Sequence, residues 1–275
     1  MLNVMPKICD RDVNNIDNIS DFLKYSDGVE IQLMSDDLRE GFKNSIAILG
    51  DFPNIKYVVF HMPFYMVNLC YVHSNKRIEN TYLSFVVDCI KYSLTKDIKI
   101  DILSHIAMRY QEFMGIDGML FLNMLDYLVR DTNVGFLLEN SIINLNMDDD
   151  EEDVLTSIFK SYNSEKFKFC LDLCHWQSSE FILKKKIKLN DVLLKSLKNV
   201  HFSMTYDKDG YCNKALTHGR VHLSPLACVN DIEYLKSMGV DLKKINLVTE
   251  ISESDYKKRP DMKMELNYLN NIKLV

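Results

Sequence analysis

Eight residues of this 275-residue chain have the types and spacing to build a metal centre: Glu139 in LLEN, Asp172 and His175 in DLCH, His201 in VHFS, Glu250 in VTEI, His61 and His105 closing apolar runs, and His222 in HGRVH. Imidazoles and carboxylates mixed in one cavity suit zinc, manganese or iron, whereas calcium and magnesium prefer oxygen alone. A cation held this way polarises carbonyl or phosphoryl oxygens and lowers the pKa of water, while neighbouring carboxylates move protons. Glu139, Asp172 and Glu250 together in one cavity would repel one another unless protonated or bridged by cations. The expected cofactor is therefore a divalent metal.

Those residues need a scaffold that brings distant segments to one place. Short β-rich apolar runs alternate with stretches of helical period, the pattern of repeated βα units around a parallel sheet. Eight strands are expected: 28–33, 55–61, 98–105, 134–140, 167–173, 199–204, 220–223 and 245–251. Helices are expected between them, over 77–94, 119–129, 153–162, 191–198 and 231–238. From Glu30 to Glu250 there are seven intervals averaging about 31 residues, the repeat of a (β/α)8 TIM barrel of about 250 residues. The fold expected is that barrel, as one domain over 1–275. A doubly wound open sheet is the weaker alternative, since no GxGxxG or GxxxxGK[ST] follows an early strand.

Side chains alternate faces along a strand. Phe167, Phe169 and Leu171 then face the helices while Cys170 and Asp172 face the barrel axis, and the same parity turns His61, His105, Glu139, His201 and Glu250 inward. All lie at C-terminal strand ends, where TIM barrels carry their active sites. Glu30 and Gln32 also point inward, to meet substrate or to fill the floor. Trp176, Tyr65 and Phe64 lie near the expected mouth, where they could stack on a sugar or base or simply pack. Cys170 and Cys174 read as buried barrel cysteines, Lys184 to Lys186 as a solvated charge run, and His73 as a polar-loop residue.

Composition argues against several classes. Thirty-three Lys+Arg against 39 Asp+Glu give a net charge of -6, without a basic stripe for tracking nucleic-acid backbone. Seven cysteines without a CxxC pair indicate neither a disulfide framework nor a cysteine zinc knuckle, so a reducing cytoplasm is expected. No apolar stretch approaches 18 residues and the first residues lack a signal-peptide pattern, so no membrane association is expected.

The order Glu139, Asp172-x-x-His175, His201, Glu250 resembles the xylose isomerase-like TIM barrels, which include sugar and sugar-phosphate isomerases and epimerases and the endonuclease IV group of AP endonucleases. The resemblance runs over most of the chain. From the isomerase branch it implies one metal on Glu139, Asp172, His201 and Glu250, with Glu139 and Glu250 as the acid/base pair. From the endonuclease branch it implies three zinc ions, with His61, His105, His175 and His222 as further ligands and Glu139 bridging two ions. Arg220 stands where that branch places an aspartate, so His218 would have to substitute for it at the third metal. Leu223 to Pro225 replace the Gly-Glu-Gly turn common to both branches, and the arginine that epimerases carry after His201 is absent. The leading expectation is a sugar or sugar-phosphate isomerase or epimerase, with catalytic Glu139, Glu250 and His175. The alternatives are an endonuclease IV-like zinc phosphoesterase acting on nucleic acid, and a non-catalytic metal-binding protein. Oligomeric state and substrate identity are not legible.

Overall fold

A run such as YVVFH, β-branched and aromatic with a polar residue at its end, satisfies its backbone in a sheet and buries its apolar face against helices. In a computed structural model of the chain, residues 2–107, 110–141, 153–162, 164–184, 186–187, 189–203, 206–207, 210–211, 231–250 and 259–271 are described. Eight such runs form a closed barrel: β1 (Asn3–Cys9), β2 (Gly28–Gln32), β3 (Tyr57–His61), β4 (Lys99–His105), β5 (Val134–Glu139), β6 (Phe167–Asp172), β7 (Leu197–His201) and β8 (Asn246–Thr249). Each pairs parallel to its neighbours, and β1 closes the ring between β8 and β2. The (β/α)8 expectation holds.

The described helices are α1 (Ile16–Leu23), α2 (Leu38–Asp51), α3 (Leu69–Ser74), α4 (Lys76–Lys96), α5 (Tyr110–Gly115), α6 (Gly118–Val129), α7 (Val154–Ser161), α8 (Leu173–Leu183), α9 (Asp191–Ser196), α10 (Asp231–Ser237) and α11 (Pro260–Asn271). Short polar side chains start several of them: Asp37, Asn75, Asp153 and Asn190 each accept a hydrogen bond from a backbone N–H in the first turn. Such caps contribute about 0.5–2 kcal/mol each.

One strand is added to those expected. The first strand is β1, NVMPKIC, which the sequence reading passed over because Pro6 and Lys7 interrupt its apolar run. In the barrel Pro6 pairs with Thr249, and Lys7 pairs with Glu30 and is buried inside. The expected strand at 220–223 lies outside the described residues; in the ring, His201 of β7 pairs with Val248 of β8. The expected helix at 191–198 ends at Ser196 because Leu197 already pairs with Phe169 of β6, beside a register shift.

The barrel is layered. Met5, Val59, Leu103, Leu137, Cys170 and Val248 form an apolar layer across its middle. Beneath it Tyr57 donates to Asp101 Oδ2 at 2.6 Å, and Lys198 pairs with the same carboxylate. Outside, Phe60, Ile102, Phe136 and Phe169 pack with Phe85, Val86, Phe121 and Leu122 of the helices in the main core. Each large side chain buried there contributes about 1.5–3 kcal/mol. Arg259, buried before α11, ties the helix to the chain start through Asp12 at 2.5 Å and the Lys7 carbonyl at 3.3 Å. The upper layer, at the C-terminal ends of the strands, also brings polar side chains inward, among them His61, Glu139, Asp172 and His201.

Candidate metal centre

Local chemistry explains the DLCH spacing. Asp172 ends β6 and opens α8, and its Oδ1 accepts from the His175 N–H at 2.7 Å, as an N-capping side chain does. Asn140 then stitches β5 to β6: its Oδ1 accepts from Asp172 N at 2.7 Å and its Nδ2 donates to the Asp172 carbonyl at 3.0 Å. Glu139 faces His105 across the β4–β5 register. The positions of Asp172 and Glu139 are thus set by backbone hydrogen bonds.

The two oxygens of Glu139 look in different directions. Oε2 is 2.9 Å from His105 Nε2 and 3.5 Å from His61 Nε2, while Oε1 is 3.3 Å from His201 Nδ1. Among the described residues two groups of potential ligand atoms result, each within 4.8 Å of one another: His61, His105 and Glu139, and Glu139, Asp172, His201 and Glu250. Glu139 belongs to both. A carbonyl can only accept, so His61 carries its proton on Nδ1, which donates to the Met62 carbonyl at 3.1 Å and leaves Nε2 as a ligand atom.

His201 is completely buried, and its Nε2 meets Glu30 Oε2 at 2.9 Å. A carboxylate beyond a metal-binding histidine is the usual way of aiming the other ring nitrogen. That nitrogen, Nδ1, lies 2.5 Å from Glu250 Oε2, 3.3 Å from Glu139 Oε1 and 3.8 Å from Asp172 Oδ2, yet makes no hydrogen bond of acceptable geometry. Convergence of a buried ring nitrogen and three carboxylates at these distances fits a cation site. Lys7 supplies positive charge from below, 2.6 Å from Glu250 Oε1 and 2.9 Å from Glu30 Oε1.

The protonation states follow. Burial opposes ionisation of Glu139, but His105 and His201 outweigh it and hold its pKa well below the carboxylate range. Glu30 is likewise lowered against burial, by His201 and Lys7. Burial disfavours charge on His201 too, yet Cys170, Glu30, Glu250 and Glu139 raise its pKa well above that of a free histidine. His61 is lowered, by burial and then by Lys7. Without metal, His201 and Lys7 are therefore the cations that hold the carboxylates together.

Of the eight residues singled out, Glu139, Asp172, His201, Glu250, His61 and His105 converge in the two groups. His175 lies beside them, 3.4 Å from Asp172 and 3.6 Å from Glu139, but its Nδ1 is turned to the Asn140 carbonyl at 2.9 Å and it joins neither group. His222, His218 and Arg220 lie outside the described residues. Trp176 is only 1% exposed, so it packs rather than stacks at the mouth, while Phe64 is 95% exposed at the rim. Cys170 and Cys174 are buried as expected. His73 sits on α3 and pairs with Glu79, away from the site. Lys7 and Asn140 were missed: Lys7 because its strand was missed, Asn140 because an asparagine at a strand end carries no metal-ligand signal.

The fold and this centre define a (β/α)8 barrel with a histidine–carboxylate cluster at the C-terminal ends of its strands. No family profile and no curated protein matches the chain. Solved structures do. A D-allulose 3-epimerase from Methylomonas sp. is 11% identical over 98% of this chain and 97% of its own, with a TM-score of 0.61. A Thermus thermophilus protein, TTHB071, soaked with ZnCl2, is 14% identical over 98% and 97%, at 0.58. SacUVDE is 15% identical over 99% and 100%, at 0.54. At these identities the likeness is one of fold. No helix among the described residues is long and apolar enough to cross a membrane.

Proposed function

We propose that this chain is a metal-dependent phosphodiester hydrolase with two adjacent cation sites that share Glu139. One observation carries the reading: Glu139 turns Oε2 to His61 and His105 and Oε1 to His201, beside Asp172 and Glu250. A single-metal site would have no task for His61 and His105. Divalent ions bound there would supply Lewis acidity toward a phosphoryl oxygen and a nucleophile from water at neutral pH. Glu139, Asp172, His201 and Glu250 would hold one ion and Glu139, His61 and His105 the other, while Glu30 and Met62 keep the imidazoles aimed.

Charge supports an anionic substrate. When ionised, Glu30, Glu139, Asp172 and Glu250 exceed Lys7 by three negative charges; one divalent ion leaves the site negative and a second turns it positive, as a phosphodiester requires. The second reading is a single-metal sugar or sugar-phosphate isomerase or epimerase. It is favoured by Glu139 and Glu250 reaching His201 Nδ1 together, as an acid/base pair would around one bound sugar, and by the epimerase named among the similar structures. Under either reading Cys9, Cys70, Cys89, Cys170 and Cys174, none of which forms a disulfide among the described residues, suit a reducing cytoplasm.

The test is metal content by elemental mass spectrometry on tag-free protein, followed by assays on bis(p-nitrophenyl) phosphate, an abasic-site DNA duplex and a ketose panel. Two ions per chain with diester cleavage is the expected result. One ion with ketose turnover selects the second reading, and no uptake after reconstitution refutes both.

A further inference from the structure

Under the centre lies a cation of the chain's own. Lys7 projects inward from β1, only 8% exposed, and stands between Glu250 and Glu30 at 2.6 and 2.9 Å. Each of these carboxylates gives Oε1 to Lys7 and Oε2 to the same imidazole: Glu250 to His201 Nδ1 at 2.5 Å, Glu30 to His201 Nε2 at 2.9 Å. Among the described residues, no lysine or arginine pairs with His61, His105 or Glu139 in the neighbouring group. The two groups therefore differ in one respect that their ligands do not reveal.

We infer that Lys7 is the resident counter-cation of the Glu139–Asp172–His201–Glu250 group: it holds the carboxylates together in the metal-free protein and competes with a divalent ion for Glu250. It thereby makes the ion at this group weaker-bound and more exchangeable than the ligands alone would dictate. The inference rests on the metal-centre reading above.

Two physical effects of Lys7 oppose each other. Groups behind metal ligands orient them, and removing such a group costs about 10–100-fold in metal affinity. A fixed positive charge beside a ligand oxygen repels an incoming divalent ion, and the repulsion is twice that between unit charges and poorly screened in a sealed cavity. Orientation does not depend on Lys7 alone: His201 is aimed by Glu30, Asp172 by Asn140 and the His175 N–H, and Glu139 by its strand. Charge dominates, so removing Lys7 tightens the ion.

The experiment compares wild type with Lys7→Met and Lys7→Gln, measuring zinc affinity by competition with a chromogenic chelator and melting temperature with and without zinc. The glutamine keeps a donor but not the charge. The expected result is that one of the two ions binds roughly tenfold or more tightly in both variants. The metal-free variants should melt roughly 5–15 °C lower, and zinc should restore more of the difference than it adds to wild type. Folding of Lys7→Met only in the presence of zinc also supports the inference. Unchanged affinity in both variants overturns it, as does weaker binding in Lys7→Met that Lys7→Gln recovers, which would make Lys7 an orienting group. If Lys7→Met fails to fold even with zinc, the affinity of Lys7→Gln decides by the same criterion. Wild type that takes up no ion refutes the metal-centre reading itself, whereas normal uptake with unresponsive variants refutes only the role of Lys7.

Discussion

Replacing His105 with alanine separates a two-ion centre from a one-ion centre. His105 Nε2 lies 2.9 Å from Glu139 Oε2 with the side chain 14% exposed, so its removal deletes a hydrogen bond to an ionised carboxylate and most of a buried ring. The bond is worth about 1.5–3 kcal/mol. With incomplete collapse around the gap, and with His61 at 3.5 Å inheriting part of the contact, the metal-free protein should lose about 2–4 kcal/mol, or roughly 4–12 °C in melting temperature. The larger effect falls on the metal. One of three ligands disappears, and since groups outside the coordination sphere already cost 10–100-fold, affinity at that position should fall by more than about 100-fold. After dialysis against zinc, elemental analysis should give one ion per chain instead of two. Diester cleavage should drop by about 10²–10³, equivalent to about 3–4 kcal/mol of lost transition-state stabilisation. His73→Ala, remote from the site beside Glu79, is the control and should leave both quantities unchanged. Two ions and undiminished cleavage in His105→Ala would refute the shared-carboxylate argument. Ketose turnover untouched by the substitution would select the isomerase instead.

Three further outcomes follow. Trp176→Ala should cost about 3–5 kcal/mol without altering metal content, because the ring is fully buried; a variant with normal melting but a raised KM would return Trp176 to the mouth. Arg259→Ala strands the buried Asp12 carboxylate and unties α11 from β1, so denaturant titration should register about 3–5 kcal/mol, with a change below 1 kcal/mol arguing against that clamp. The pKa values of Glu30 and Glu139 are depressed on folding, so their stabilisation is complete above the unfolded carboxylate value near 4.3 and is lost as pH falls through their folded values. The EDTA-treated protein should therefore lose stability increasingly below about pH 4, and Glu30→Gln should flatten that slope; an unchanged slope would show that Glu30 does not contribute.

The set of candidate ligands was legible in the sequence because two periodicities carry it. Parity along a strand put Glu139, Asp172, His61 and His105 on the inner face, and the regular strand spacing put them at one mouth. Both depend only on local geometry, which is why the barrel and the inward convergence of six candidate ligands emerge from residue order. Local reading failed where a long-range partner overrode propensity. Pro6 and Lys7 make NVMPKIC a poor strand by itself, but closure of the barrel pairs it with β8 and β2, and Glu30 and Glu250 compensate the buried ammonium.

What the sequence by itself determined is the inventory: the fold class, the inward parity of the strand-end residues, and a donor set suited to a transition metal. Only the tertiary structure decided how that inventory divides. It turned the two oxygens of Glu139 to different histidines, committed His175 Nδ1 to a backbone carbonyl, buried Trp176 and placed Lys7 beneath Glu250. The physical reason is that strand parity specifies which face a side chain occupies. Which atom meets which depends on barrel closure and on the hydrogen bonds and charges that closure brings together, over separations as long as that between Lys7 and Glu250.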